Sequence, residues 1–213
     1  MLSTSCKKKN DNNIPPVTTV TDVDGNVYHF VTIGTQVWMV ENLKTTKYRD
    51  GSPINNITEN ALWKILTTGA YCNYLNTAVI STVYGRLYNW YAVNTGNLCP
   101  TGWHVPNNSD WQTLINYSGG EDVAGGKLKE IGTTNWFCTT TGTTNETGFT
   151  ALPGGYRQSN GDFYNLSNSG SWWSTSEWNA SSSGYREMNC NSDKVGNSVS
   201  DNKSGLSVRC IRD

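Results

Sequence analysis

An α+β fold of short antiparallel strands, two or three short helices and long irregular loops is what this sequence predicts. Three observations lead there. Asn, Ser, Thr and Gly abound while Leu and Ala are sparse, a balance that favours turns and short strands over long helices. Strong helix signals gather in one segment, just after Pro106. From Phe149 onward, short β-rich runs alternate with polar spacers to the last residue.

The 213 residues suit one compact domain, 18–213, preceded by a tail, 1–17. Charged residues make up 15% and the formal net charge is -1, which points away from nucleic acid or an anionic surface as partner. Nine Trp and eleven Tyr stand against four Phe. Such rings combine large buried area with a polar handle, which suits both a core and a binding face.

Along the chain, Thr18–Asp22 and Asn26–Ile33 read as strands joined around Asp24-Gly25, a hairpin signal. Asp22-Val23-Asp24-Gly25-Asn26 faintly matches a calcium loop but lacks its later acids, so a turn is expected. Thr35–Val40 reads as a third strand, and 41–60 as mostly polar loop. Leu87, Trp90 and Tyr91 recur at i, i+3, i+4, the spacing of a short helix. A clearer helix follows Pro106: Asn107, Asn108 or Ser109 caps it, Trp111, Leu114 and Ile115 share a face, and Gly119-Gly120 stops it. A third helix over 123–131 is weighed down by Gly125 and Gly126. In 206–211, Leu206, Val208 and Cys210 face one way and Ser207, Arg209 and Ile211 the other. The stretches 178–184 and 191–204 read as surface loops.

Six cysteines are present, and five of them (Cys72, Cys99, Cys138, Cys190, Cys210) follow the tail. Five is odd, so at least one is free or pairs elsewhere, and no C-x-x-C spacing suggests a zinc ribbon or redox motif. An oxidising compartment is the simpler account. Met1-Leu2-Ser3-Thr4-Ser5-Cys6 reads as the end of a bacterial lipoprotein signal, with Cys6 taking the lipid. A full signal needs an apolar stretch of roughly 7–15 residues, so the start is expected to be truncated. That reading places the protein at the cell surface as an outer-membrane lipoprotein, in contact with membrane only through its anchor.

Several motifs, in order, resemble one family. They are Asp22–Tyr28, Ile33–Leu43, Tyr84–Trp90, Cys99–Pro106, Ala151–Arg157, Ser171–Ser174 and Gly205–Asp213. The chain resembles Fibrobacter succinogenes major paralogous domain proteins from about Thr18 to Asp213, a family of surface and lipoprotein modules without an established reaction. More distantly, the layout is similar to the C-type-lectin-like fold, which includes the formylglycine-generating enzymes. That resemblance implies a Cys99–Cys210 bridge tying the helix side to the final strand. Such a bridge would close a loop of about 110 residues and stabilise by roughly 4–5 kcal/mol in the chain-entropy model.

No nucleophile elbow, zinc helix or phosphate loop occurs. His29 and His104 lack a readable partner constellation, and Glu121-Asp122 suit a helix start. No catalytic residue, metal ligand or cofactor is therefore expected. Binding remains: Trp178, Tyr185, Arg186, Asn189, Asn191, Asp193, Lys194 and Asn197 combine aromatic area with directional polar groups on expected loops or loop edges. The expected function is a lipid-anchored cell-surface binding or adhesion module that recognises a glycan or protein ligand. Two alternatives stand beside it. One is a structural surface or filament component without small ligand; the other is a formylglycine-generating-type enzyme, which would need Cys138 and Cys190 reactive in one cleft.

Overall fold

The computed structural model describes residues 18–213. The expected lipid site, Cys6, and the tail 1–17 lie outside the described residues. The architecture is α+β, with three sheets and short helices packed around two large apolar clusters and a smaller third one centred on Trp63, Cys72 and Leu87.

Strand β1 (Thr19–Thr21) pairs antiparallel with β2 (Val27–Ile33), which pairs with β3 (Gln36–Met39). The β1–β2 turn is set locally. Asp22 Oδ1 accepts the backbone N–H groups of Asp24 and Asn26, both at 2.9 Å, and Gly25 takes the left-handed backbone (φ 85°) the turn requires. Next come β4 (Asn55–Asn56), α1 (Asn60–Trp63), β5 (Ala70–Cys72), a 3-10 turn (Tyr74–Asn76), α2 (Ala78–Tyr84) and β6 (Leu87–Tyr88). Strands β4, β5 and β6 form a sheet of their own. The helical spacing of Leu87, Trp90 and Tyr91 is therefore only half realised. Leu87 and Tyr88 pair with Cys72 and Tyr71 as strand, and only α3 (Trp90–Val93) is helical.

After β7 (Trp103–His104), helix α4 (Asn108–Tyr117) begins at Asn107 with a reciprocal capping box to Asp110. It buries Trp111, Leu114 and Ile115 and ends as Gly119 and Gly120 turn left-handed. Helix α5 occupies Glu121–Leu128, two residues ahead of the expected start. Its two glycines are packing devices: a Cβ on Gly125 would meet Lys194 O at 2.6 Å, and one on Gly126 would meet Gly142 O at 2.3 Å. The weak propensity is the cost of letting two backbones touch.

The last strands are β8 (Gly154–Arg157), β9 (Phe163–Leu166), β10 (Ser169–Asn179), β11 (Ser182–Asn189), β12 (Val195–Asp201) and β13 (Ile211–Arg212). A second sheet runs β12-β11-β10-β8-β9. Here the expectation of surface loops is corrected. Residues 178–184 and 191–204 lie largely within a three-stranded antiparallel meander, with seven β11–β12 register pairs. The outer strand Val195–Asp201 buries only its first residue, Val195. Backbone pairing with β11 supplies most of its hold, so no apolar alternation advertises it in the sequence.

The carboxy-terminal segment threads the interior. β13 lies between β3 and β7 in the first sheet. Leading to it, Gly205, Leu206, Ser207, Val208 and Cys210 exchange backbone hydrogen bonds with Arg157, Tyr88, Ser171, Trp173, Leu43 and Met39. Leu206, Val208 and Cys210 fall in one cluster with Tyr88, Trp90, Trp103 and Trp173. Ile211 falls in the other, with Trp38, Trp111, Trp172 and Phe149. The alternation expected for this run is thus a partition between two cores. Cys99 and Cys210 are joined, with Cα atoms 6.0 Å apart.

Buried polar side chains bind the layers together, and none was legible in advance. Asn42 Oδ1 accepts from Trp172 Nε1 (2.8 Å) and from Arg209 Nε (3.2 Å) and Nη2 (2.8 Å). Burial pulls Arg209 down to about 9, with Glu41 acting in the other direction, and its guanidinium lies 4.3 Å over the Phe149 ring. Arg157 donates to Gly161 O, Ile57 O and Thr58 O and stacks on Trp63 at 4.3 Å. It thereby ties β8 to the segment between β4 and α1.

Candidate functional site

The residues expected to bind a ligand do not converge; the period of a strand separates them. Side chains paired directly across a sheet share a face, and the next residue along points to the other. Trp172 pairs with Arg186, and Arg186 with Asn197, so these three face helix α4. Trp173, Tyr185 and Ser198 pair in the same way and face the opposite side. Tyr185 therefore does not meet Asn197: it lies half-buried against the first core cluster, on the far side of the sheet.

On the α4 face a groove of about 340 Å³ opens between the start of α4 and the free end of the meander. Asn108, Glu177, Trp178, Gly184, Asn197 and Val199 line it. Trp178 is 72% exposed at this groove and Val199 is exposed beside it. Arg186, expected as a ligand contact, is corrected too, because it is 1% exposed. Its Nη1 donates to Asn108 Oδ1 (3.2 Å) and Asn197 Oδ1 (2.6 Å) from beneath. With both amide oxygens engaged, these side chains have N–H groups left to offer a ligand. Burial pulls Arg186 below the usual guanidinium range, and Glu121 works against that pull. The groove thus combines one exposed indole, a carboxylate on Glu177 and two amides whose orientation a buried cation sets.

Asn189, Asn191, Asp193 and Lys194 belong elsewhere. Asn189 is five residues beyond Gly184 along β11, about 17 Å away at ~3.3 Å per residue. There the chain is engaged with itself. Cys190 is bridged to Cys138, Lys194 Nζ pairs with Asp122 at 2.7 Å, and Asp193 accepts from Thr140. Lys129, buried, donates its Nζ to the carbonyls of Asn189 (3.1 Å) and Ser192 (2.7 Å). Burial lowers its pKa, against the attraction of Asp193. Asn189 and Asp193 thus belong to a clasp at the end of the meander away from the groove, and exposed Asn191 lies at that same end.

Asn108 and Glu177 were missed as groove residues. Asn108 reads in sequence as a helix cap, and only tertiary packing brings α4 beside β10. Glu177 was adjacent to Trp178 throughout and carried the available signal. Cys138 and Cys190, needed as reactive partners by an enzymatic reading, are bonded to each other with Cα atoms 5.0 Å apart. Among the described residues no group of three or more His, Cys, Asp or Glu side chains is positioned to hold a metal ion. No helix among them is long and apolar enough to cross a membrane.

The model of the Fibrobacter succinogenes major domain matches residues 31–212. No curated protein and no solved structure matches the chain.

Proposed function

The chain belongs to the Fibrobacter succinogenes major domain family, and on that premise we propose an extracytoplasmic binding module that holds a glycan or protein ligand in the groove between α4 and the β10–β12 meander. In this reading Cys6 carries a lipid anchor, the module stands at the outer surface of the cell, and it performs no catalysis. The two disulfides support an oxidising compartment. The distant likeness to lectin-like folds belongs to the same proposal and adds no residue to it.

The observation that carries the reading is Trp178. A 72% exposed indole costs solvation unless something covers it, and it borders a groove that also presents Glu177, Asn108 and Asn197. Rings of this kind supply contact area while amides and carboxylates supply direction. A glycan array and a pull-down against surface extracts, run with the full chain and with Trp178→Ala, test it. Binding that falls at least tenfold in the variant supports the groove; binding that is absent, or indifferent to the substitution, refutes it.

A second reading is favoured by one feature. β12 is an edge of the second sheet, seven residues long and largely exposed. Edge strands template pairing with another chain, which suits a structural surface or filament component. Concentration-dependent assembly by light scattering, abolished by proline at Ser198, would support that reading over the first.

A further inference from the structure

On the other face of the meander lies a second, smaller pocket that the groove reading does not use. It has a volume of about 160 Å³ and is lined by Tyr156, Gln158, Ser171, Tyr185, Ser200, Ser204 and Leu206. Tyr156 comes from β8, Ser171 from β10, Tyr185 from β11 and Ser200 from β12, so four strands of one sheet build it. The returning carboxy-terminal segment supplies Ser204.

Six of its lining side chains carry hydrogen-bonding groups, and Leu206 adds an apolar wall. Ser171 is 1% exposed, yet its Oγ has no hydrogen-bond partner among the described residues. A buried hydroxyl left unpaired costs about 1–3 kcal/mol, so the fold retains an unsatisfied group beside an open space. Ser200 Oγ donates to Ser204 Oγ at 2.9 Å, which leaves the pair able to accept and donate further. Gln158 adds an exposed amide at the same pocket. The six side chains carry no formal charge at neutral pH, and an ion placed among them would lose hydration without a countercharge. Two tyrosine rings contribute flat apolar faces with polar edges, and Tyr156 is braced by Tyr164 with centroids 5.9 Å apart. The volume limits the occupant: a cavity of about 150 Å³ admits one benzene-sized ring, so a larger hydroxylated ring seats one edge here and keeps the rest of its rim in solvent.

From these observations we infer that the pocket is a binding site for one neutral, hydroxylated six-membered ring, a single uncharged pyranose residue, with Ser171 Oγ as its buried anchor. The rings of Tyr156 and Tyr185 cover the C–H faces of the sugar. Its hydroxyls satisfy Ser171, the Ser200–Ser204 pair and Gln158. Trp178 does not line this pocket and lies at the groove instead.

The test uses the full chain labelled with ¹³C-tyrosine and titrated with glucose, galactose, mannose and N-acetylglucosamine, beside glucuronate and glucosamine as charged counterparts. The Tyr156 and Tyr185 ring signals are expected to shift with at least one neutral sugar and to respond at least tenfold more weakly to the charged ones. Ser171→Ala should weaken that response about tenfold while the melting temperature stays level or rises, because the hydroxyl it removes is unpaired. Trp178→Ala should leave the tyrosine response unchanged, which separates failure of this site from failure of the groove. Should Ser171→Ala fail to fold, Ser200→Leu, a half-exposed substitution that fills the space, is expected to abolish the same shifts. Silence from both tyrosines with every neutral sugar overturns the inference, as does equal response to glucuronate or a response that survives both substitutions.

Discussion

Replacing Asn42 by alanine removes the one acceptor that Trp172 and Arg209 share. All three side chains are buried. Asn42 Oδ1 holds Trp172 Nε1 at 2.8 Å and Arg209 at 3.2 Å and 2.8 Å, while Nδ2 donates to Tyr84 O at 2.8 Å. Arg209 would keep Phe149 O and its long contacts to Thr150 O. Its Nε and the Trp172 indole N–H would be left without a protein acceptor. A buried orphan donor costs about 1–3 kcal/mol, more when charged; two of them imply a loss of about 3–5 kcal/mol. Against a total of about 5–15 kcal/mol, that is a large fraction. Asn42→Asp keeps the acceptor and adds a countercharge to Arg209, at the expense of the donor to Tyr84, so it should cost less than alanine. Urea unfolding of the oxidised protein, followed by tryptophan fluorescence, reads both values from midpoints at constant slope. A loss under about 1 kcal/mol for Asn42→Ala, well below the cost of even two minimal orphans, would refute the shared-acceptor argument.

Gly126→Ala ought to destabilise, although helix propensity alone favours alanine by about 1 kcal/mol, because the added Cβ would lie 2.3 Å from Gly142 O; a raised melting temperature would show the two backbones free to separate. Burial pushes the Cys72 thiol up to about 12, so alkylation mapped by mass spectrometry should spare Cys72 in the native protein and mark it only in denaturant. Asp24 is opposed by burial, but hydrogen bonds from Thr46 and the ammonium of Lys47 hold its carboxyl below the usual range. A depressed folded-state pKa stabilises above the unfolded value and is lost as pH falls through the folded one. Asp24→Asn should therefore lower stability at neutral pH, with the gap to the parent closing in strong acid; a gap that does not narrow would sink that assignment.

By itself the sequence determined what short-range chemistry decides. The Asp22–Asn26 turn and the Asn107–Asp110 cap close through bonds between residues at most four apart, so their signals lie in contiguous text. The alternation of Leu206, Val208 and Cys210 likewise announced a buried extended segment, although only Ile211–Arg212 at its end pair as a regular strand. Only the tertiary structure decided which candidates meet. Strand β12 pairs through its backbone, so its polar side chains read as loop, and with the loop assumption went the belief that Tyr185, Arg186 and Asn197 share a surface. Nothing in the contiguous text marks Asn42, Arg157 and Arg209 as buried; Arg157 reaches an acceptor 97 residues away and Arg209 reaches Asn42, 167 residues away. A polar side chain reveals nothing locally about whether water or a distant carbonyl will satisfy it, and that choice is made only when the layers close.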